Sequence, residues 1–316
     1  MKTIMTMGEI LVEIMATQIG QSFRQPGTLL GPYPSGAPAI FIDQVAKLGQ
    51  PCGIIGCIGD DDFGRLNVDR LSRDGADVTG IHVAENAVTG SAFVTYHQDG
   101  SRDFIFNITN SACGQLSAAH VTEELLKNCG HFHVMGSSLF SLPIVEAMKK
   151  AIEIVKGRGG TISFDPNVRR EILGKAEMRD TLRFILAYTD IFLPSGQEMT
   201  LLTNAEQEQD AVSEILDMGV REIVLKRGGN GCSYYDASRS ISCTAFPAEE
   251  VDPTGAGDCF GATFVTCRFQ GMPVEDALRY ANASGALAIS RKGPMEGTST
   301  FAELDTFLIE HSSTGH

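Results

Sequence analysis

The chain has 316 residues, 43% of them apolar, which is enough to bury a large core and marks a globular protein. Its 25 basic residues stand against 39 acidic ones, a net charge of −14. The basic residues are scattered, which excludes the cationic footprint of a nucleic-acid partner.

No apolar run reaches the roughly 18–20 residues of a membrane span, so no membrane association is expected. Glu9 interrupts the amino-terminal stretch that a secretory signal would need. Eight cysteines sit at irregular spacings without a Cys-x-x-Cys pair, as expected of reduced thiols in a cytoplasmic protein.

In chain order, periodicity predicts a strand over 4–14, a helix over 38–48 closed by Gly49, and a buried strand over 52–58. A helix over 63–74 follows, then a strand over 131–135, a helix over 143–156 and a strand over 161–165. A helix over 178–187, a strand over 191–193, a helix over 205–218 and a strand over 222–226 continue the alternation. Strands alternating with amphipathic helices imply a layered α/β sheet with right-handed crossovers. Ligands bind such sheets at the carboxyl ends of the strands.

Two stretches depart from this pattern. Residues 16–34 lack helical periodicity, and residues 91–108 alternate around Gln98-Asp99-Gly100-Ser101 like a hairpin. They are expected to pair into a small second sheet, a lid over the strand ends able to exclude water. His131 and His133 fall on one strand face at a spacing suited to a metal, but with no third ligand in view ordinary packing is expected.

The most informative segment is Asp252-Pro253-Thr254-Gly255-Ala256-Gly257-Asp258-Cys259-Phe260-Gly261, followed by a helical pattern to residue 269 and ended by Gly271. Glycines at 255 and 257 let the backbone approach a ligand. The unpaired N–H groups of a helix's first turn form an anion site suited to phosphate. Asp258 could merely complement the helix dipole. A carboxylate beside an anion site has a better-matched task, taking the proton from a hydroxyl that attacks a phosphoryl group. The spacing Gly255-x-Gly257-x-x-x-Gly261 also suggests a variant dinucleotide fingerprint, but the helix is not followed by a strand ending in an acid. No Gly-x-x-x-x-Gly-Lys-Ser/Thr loop occurs either.

The segment from Val251 to Phe260 resembles the carboxyl-terminal signature of the ribokinase-like (pfkB) carbohydrate kinases. Gly56-Cys57-Ile58-Gly59-Asp60-Asp61-Asp62-Phe63-Gly64 is similar to that family's early motif, and order and spacing agree nearly end to end. The resemblance implies a three-layer α/β/α, Rossmann-like main domain from residues 1–15, 36–90 and 109–312, with a small β-sheet lid from 16–35 and 91–108 and a tail at 313–316.

It further implies transfer of the γ-phosphate of ATP, with Mg2+, to a hydroxyl of a sugar held beneath the lid. Asp258 would be the base, and the backbone of Gly255, Ala256 and Gly257 the anion hole. Leu225-Lys226-Arg227-Gly228-Gly229-Asn230-Gly231 is similar to the family's nucleotide loop. Lys226 would lie near the phosphates, Gly228 and Gly231 would flank ATP, Thr254 would join the glycine turn at the nucleotide, and Asn282 would lie near adenine or ribose.

In Asp165-Pro166-Asn167-Val168-Arg169, the residues Asn167 and Arg169 would face sugar or phosphate. Glu198 matches the glutamate that holds magnesium through water, although Ser195 stands where the family has asparagine. Asp252, with Thr254, corresponds to a monovalent cation site, K+ in relatives, and pairing of lids implies a homodimer.

The family's sugar motif departs here to Ser35-Gly36-Ala37-Pro38-Ala39-Ile40-Phe41-Ile42, so Gly36 remains a substrate contact while Ile40 cannot donate to a hydroxyl. Glu13 stands where many relatives carry a sugar-binding aspartate. The carboxyl-terminal third resembles the 2-keto-3-deoxygluconate kinase branch, yet Phe106-Asn107-Ile108 lacks the arginine expected for a keto acid, and Arg102 sits earlier, near the hairpin turn. A neutral ketohexose such as tagatose or fructose is therefore the expected substrate. The keto acid is the runner-up, and a catalytically silent sugar sensor is the alternative of another class.

Overall fold

The computed structural model of the protein describes residues 2–99, 101–167 and 176–312. Arg169, Gly100 of the expected hairpin turn and the tail at 313–316 lie outside the described residues.

The amino-terminal apolar run, expected as one strand, is two: β1 (Thr3–Met7) and β2 (Leu11–Ala16) lie in different sheets. The chain breaks at Gly8, where φ is 157° and a Cβ would lie 2.1 Å from the Ser138 Oγ. No larger residue fits that crossing, and period-2 alternation alone carries no sign of a change of sheet.

The remaining elements are β3 (Leu29–Ser35), α1 (Ala37–Lys47), β4 (Cys52–Gly59), α2 (Asp62–Asp74), β5 (Ile81–Ala84), β6 (Gly90–Tyr96), β7 (Arg102–Asn107), β8 (Cys129–Met135) and α3 (Leu142–Gly157). They continue through β9 (Thr161–Asp165), α4 (Ala176–Tyr188), β10 (Ile191–Phe192), α5 (Glu198–Leu202), α6 (Glu208–Asp217) and β11 (Glu222–Lys226). The chain ends with β12 (Cys232–Tyr235), β13 (Ser240–Cys243), α7 (Ala256–Phe269), α8 (Val274–Ile289) and α9 (Phe301–Ser312). The helix expected over 205–218 begins later, at Glu208, with α5 separate before it. Strand β5 and the β12–β13 hairpin, turned by Asp236 side-chain hydrogen bonds to Ser238 and Arg239, were not anticipated.

The main sheet runs β13-β12-β11-β10-β9-β8-β1-β4-β5, parallel from β11 to β5, with β12 and β13 antiparallel at one edge. The small sheet runs β3-β2-β6-β7. Strand β8 shows how the layers form. Phe132 and Val134 face the core under α3, α4 and α6, with Leu182, Ile185 and Val212, while Met135 faces the opposite core, with Phe41, Val45, Phe264 and Leu278 under α1, α7 and α8. These alternating contacts make the three layers.

Helix α7 is buried on every side from Cys259 to Cys267, so the helix that carries Asp258 is a fixed platform. In the early motif, Asp61 caps α2 by accepting from the Gly64 N–H (2.8 Å), and it also accepts from the Thr89 N–H and hydroxyl (2.7 Å each), tying α2 to the start of the small sheet. Among the described residues no helix is long and apolar enough to cross a membrane.

Candidate active site

At the carboxyl end of the main sheet, a cavity of about 670 Å³ lies between the strand ends and the small sheet. The amino terminus of α7 opens into it. Gly255 precedes the helix with φ 84°, and a Cβ there would lie 2.5 Å from the Pro294 carbonyl oxygen, so both conformation and space require glycine. Helical hydrogen bonding begins with the Cys259 N–H donating to the Gly255 carbonyl at 2.8 Å. Before it, the Ala256 N–H donates to the Pro253 carbonyl at 3.5 Å, and the Gly257 and Asp258 N–H groups have no acceptor within the helix and point to where an anion would bind.

Asp258 lines the cavity from this turn. Burial, then the charge of Asp165, pushes its carboxyl up to about 8, with Lys226 opposing and Glu9 adding to the rise. Lys226 reaches in from the end of β11 and pairs with Asp165 at the end of β9, both side chains nearly enclosed. Its ammonium lies 3.7 Å from where a Cβ on Gly257 would be, directly beside the anion-binding turn. Burial works against its charge, but Asp165, Glu198 and Asp258 together hold it above the usual lysine range. The site therefore brings a buried cation from β11, helix-start N–H groups and a carboxyl of raised pKa together at the amino terminus of α7.

The small sheet closes the other side. Glu13 of β2 is buried, and burial, then the charge of Asp252, pushes it up to about 7 while Arg102 opposes. The Ser35 and Thr254 hydroxyls each lie 3.5 Å from its carboxyl oxygens. Arg102 of β7 donates to the Thr254 Oγ at 2.6 Å, so the hairpin of the small sheet is joined to the glycine turn of the main domain across 152 residues of sequence. Its guanidinium also lies 5.4 Å from the Phe104 ring centre. Arg102→Ala is expected to loosen this joint and lower stability by about 1 kcal/mol. An unchanged urea-unfolding midpoint would exclude the bridge as a structural tie.

Gly36 lines the cavity at φ 111°, and a Cβ there would lie 2.3 Å from the Glu9 carbonyl oxygen. Ile40, Asn107 and Asn167 also line it, the last at φ 37°. So does Glu198, which accepts from the Ser195 N–H at 2.6 Å. Asp252 is buried beneath, its carboxylate accepting from the Thr254 and Gly293 N–H groups at 3.1 Å each. Gly228, Gly231 and Asn282 do not line this cavity. They cluster beyond Lys226 around the β11–β12 turn, where the Asn282 amide donates to the Cys232 sulfur at 3.5 Å. Arg169 is outside the described residues.

Glu9 was missed as a site residue. It lies on the Gly8 crossing, lines the cavity, and accepts from the Ser137 (2.8 Å) and Ser138 (2.5 Å) hydroxyls, and burial raises its carboxyl above the usual range. An acid within an apolar run was the available signal. His131 and His133 instead share the Ser163 hydroxyl at 2.7 Å each, with His133 stacked on Phe41 at 3.7 Å. Burial lowers both imidazoles, and among the described residues no cluster of three His, Cys, Asp or Glu side chains could hold a metal.

A layered parallel sheet, a small second sheet over its strand ends and a glycine turn opening a buried helix define the ribokinase-like class. Residues 1–300 match the pfkB family carbohydrate kinases, and the chain belongs to that family: it is a sugar kinase that uses ATP. It is 31% identical over 310 residues to Fructokinase-1 of Oryza sativa subsp. japonica, covering 95% of this chain and 96% of that one. An E. coli protein called a ribokinase II, solved in complex with ATP and Mg2+, is 57% identical, with a TM-score of 0.96 over 98% of this chain and 100% of the other. A Vibrio cholerae fructokinase double mutant in its fructose-, ADP- and potassium-bound form is 25% identical, with a TM-score of 0.84 over 98% of each chain.

Proposed function

We propose that the protein transfers the γ-phosphate of ATP to a hydroxyl of a neutral ketohexose, fructose or tagatose in kind. The observation that carries this reading is Asp258 on the first turn of α7, in one cavity with Lys226 and roofed by Glu13 and Arg102 of the small sheet. Asp258 takes the proton of the attacking hydroxyl, and the N–H groups around Gly255, Ala256 and Gly257, with Lys226, stabilise charge on the transferring phosphoryl group. Glu13, Gly36, Arg102, Asn107, Asn167 and Arg169 hold the sugar. Gly228, Gly231, Thr254 and Asn282 hold the nucleotide.

The neutral substrate is supported by charge. Among the described residues lining the cavity, five carboxyl groups (Glu9, Glu13, Asp165, Glu198, Asp258) face two cations. Lys226 is paired with Asp165, and Arg102 donates to the Thr254 hydroxyl. The excess of carboxyl groups offers sugar hydroxyls many hydrogen-bond partners. Fructokinases among the relatives support the same choice.

Magnesium, which takes oxygen ligands, many of them water, fits Glu198 among the carboxylates lining the cavity. Glu198 would hold it through water, and the ion would neutralise the triphosphate. Asp252 keeps lone pairs free for a potassium ion beside Thr254. Exposed Leu29, Leu30 and Ile105 on the small sheet support a homodimer formed through these sheets.

The test is ADP release across fructose, tagatose, ribose and 2-keto-3-deoxygluconate. A ketohexose is expected to give the highest kcat/KM. Preference for ribose or for the keto acid would overturn the substrate class, and a blank panel with saturable sugar binding would favour a sensor.

A further inference from the structure

The β12–β13 hairpin sets two cysteines against one another. In its register Cys232 pairs directly with Cys243. The α-carbons of such antiparallel partners lie about 4.5–5.5 Å apart, within the roughly 4.4–6.8 Å that a disulfide spans. Each thiol shifts the ionisation of the other, Cys232 upward and Cys243 downward.

Access is unequal in a useful way. Seven of the eight cysteines are buried, and Cys243, on the edge strand of the main sheet, is the exception. The hydrogen bond from Cys232 holds the Cys243 thiol below its usual range, and the Asn282 amide and the Arg279 charge add to this against burial. An accessible thiolate with a buried thiol beside it is the arrangement of an attacking and a resolving cysteine. Cys57 and Cys113, which also influence one another, are both buried and out of reach of an oxidant.

The pair also touches the turn that precedes β12. A Cβ on Gly231 would lie 2.0 Å from the Cys243 carbonyl oxygen, so the backbone of β13 at Cys243 packs directly against the end of the 228–231 turn. Asn282 donates to the Cys232 sulfur at 3.5 Å, a bond that would be weakened when that sulfur turns to another partner.

We propose that Cys232 and Cys243 are a modification site, closing to an intramolecular disulfide on exposure to a small-molecule disulfide such as oxidised glutathione, and that closure weakens ATP binding. The second part rests on the reading of residues 228–231 and Asn282 as nucleotide contacts. The Cys243 thiolate attacks one sulfur of oxidised glutathione, that S–S bond breaks, and one glutathione thiolate leaves. The Cys232 thiol then gives up its proton and its sulfur attacks the Cys243 sulfur of the mixed disulfide, expelling the second glutathione thiolate. The protein loses two electrons and two protons, and oxidised glutathione is reduced to two thiols.

The full-length protein, incubated with oxidised or reduced glutathione, is examined by peptide mass mapping and by steady-state kinetics. Oxidation should join the peptide containing Cys232 to that containing Cys243 with loss of two hydrogens, reversed by dithiothreitol. It should also raise the ATP KM about fivefold or more with the sugar KM unchanged. Cys243→Ser should show neither effect, and Cys232→Ala should trap glutathione on Cys243.

A wild-type protein that stays unmodified, or that stops at the glutathione adduct, overturns the disulfide. A joined pair with an unchanged ATP KM overturns the coupling to nucleotide. Because mapping needs no turnover, failure of the bond and failure of the nucleotide reading give different results.

Discussion

Replacing Asp258 by asparagine is expected to lower kcat by about 10²–10⁴-fold while leaving ATP binding and folding close to the parent's. Asparagine keeps the shape of the side chain but cannot accept the proton of an attacking hydroxyl. Folding should not suffer, because the carboxyl sits among other acids, Asp165 and Glu9, whose charges already disfavour its ionised form.

The same environment sets the pH dependence. With the carboxyl pushed up to about 8, the free enzyme holds the base mostly protonated at neutral pH, so kcat/KM should rise as pH passes through about 8. The stability sign is the reverse. A carboxyl raised in the folded state contributes stability at acid pH that is lost as pH rises through the folded value, and Asp258→Asn should remove that loss. Turnover near that of the parent, or a kcat/KM profile flat across this range, would remove Asp258 from the role of base.

Lys226→Met should be damaging in two separable ways. The Lys226 and Asp165 side chains are 11% and 3% exposed, so removing the lysine strands a buried carboxylate, at a cost of about 3–5 kcal/mol in urea unfolding. Adding Asp165→Asn should restore most of that stability, since the amide carries no charge to strand. Turnover should not return with it. The double variant still lacks the cation beside the anion-binding turn, a loss of about 10²–10³-fold in kcat. If the double variant stays as unstable as the single one, the ion pair is not the source of the defect. If it recovers full activity, Lys226 has no part in phosphoryl transfer.

Much of the α/β alternation was legible because each element carries its own period. The helix expected over 38–48 and the strands expected over 161–165 and 222–226 agree with the structure to within a residue or so. The misses have a common cause. Alternation over 4–14 is equally compatible with one strand or two, and the choice was made by the close packing of Gly8 on Ser138. The β12–β13 hairpin is short, and its turn signal, Asp236-Ala237-Ser238-Arg239, lies between strands of four residues each, too few to establish a period. Glu9 was passed over because nothing next to it in sequence reveals that Ser137 and Ser138, 128 and 129 residues away, come to its carboxyl.

By itself, the sequence determined the layered α/β class and the local chemistry of the glycine turn with its aspartate. Both depend on neighbouring residues and on backbone freedom at Gly255 and Gly257. Only the tertiary structure decided which charges share the cavity: Lys226 against Asp165, Arg102 against Thr254 beside Glu13, and Glu9 within the electrostatic reach of Asp258. Those meetings join residues from 61 (Lys226 and Asp165) to more than 240 positions apart in the chain. They are set by the order of strands in two sheets and by the packing of α7 beneath them, which no local pattern of residues encodes.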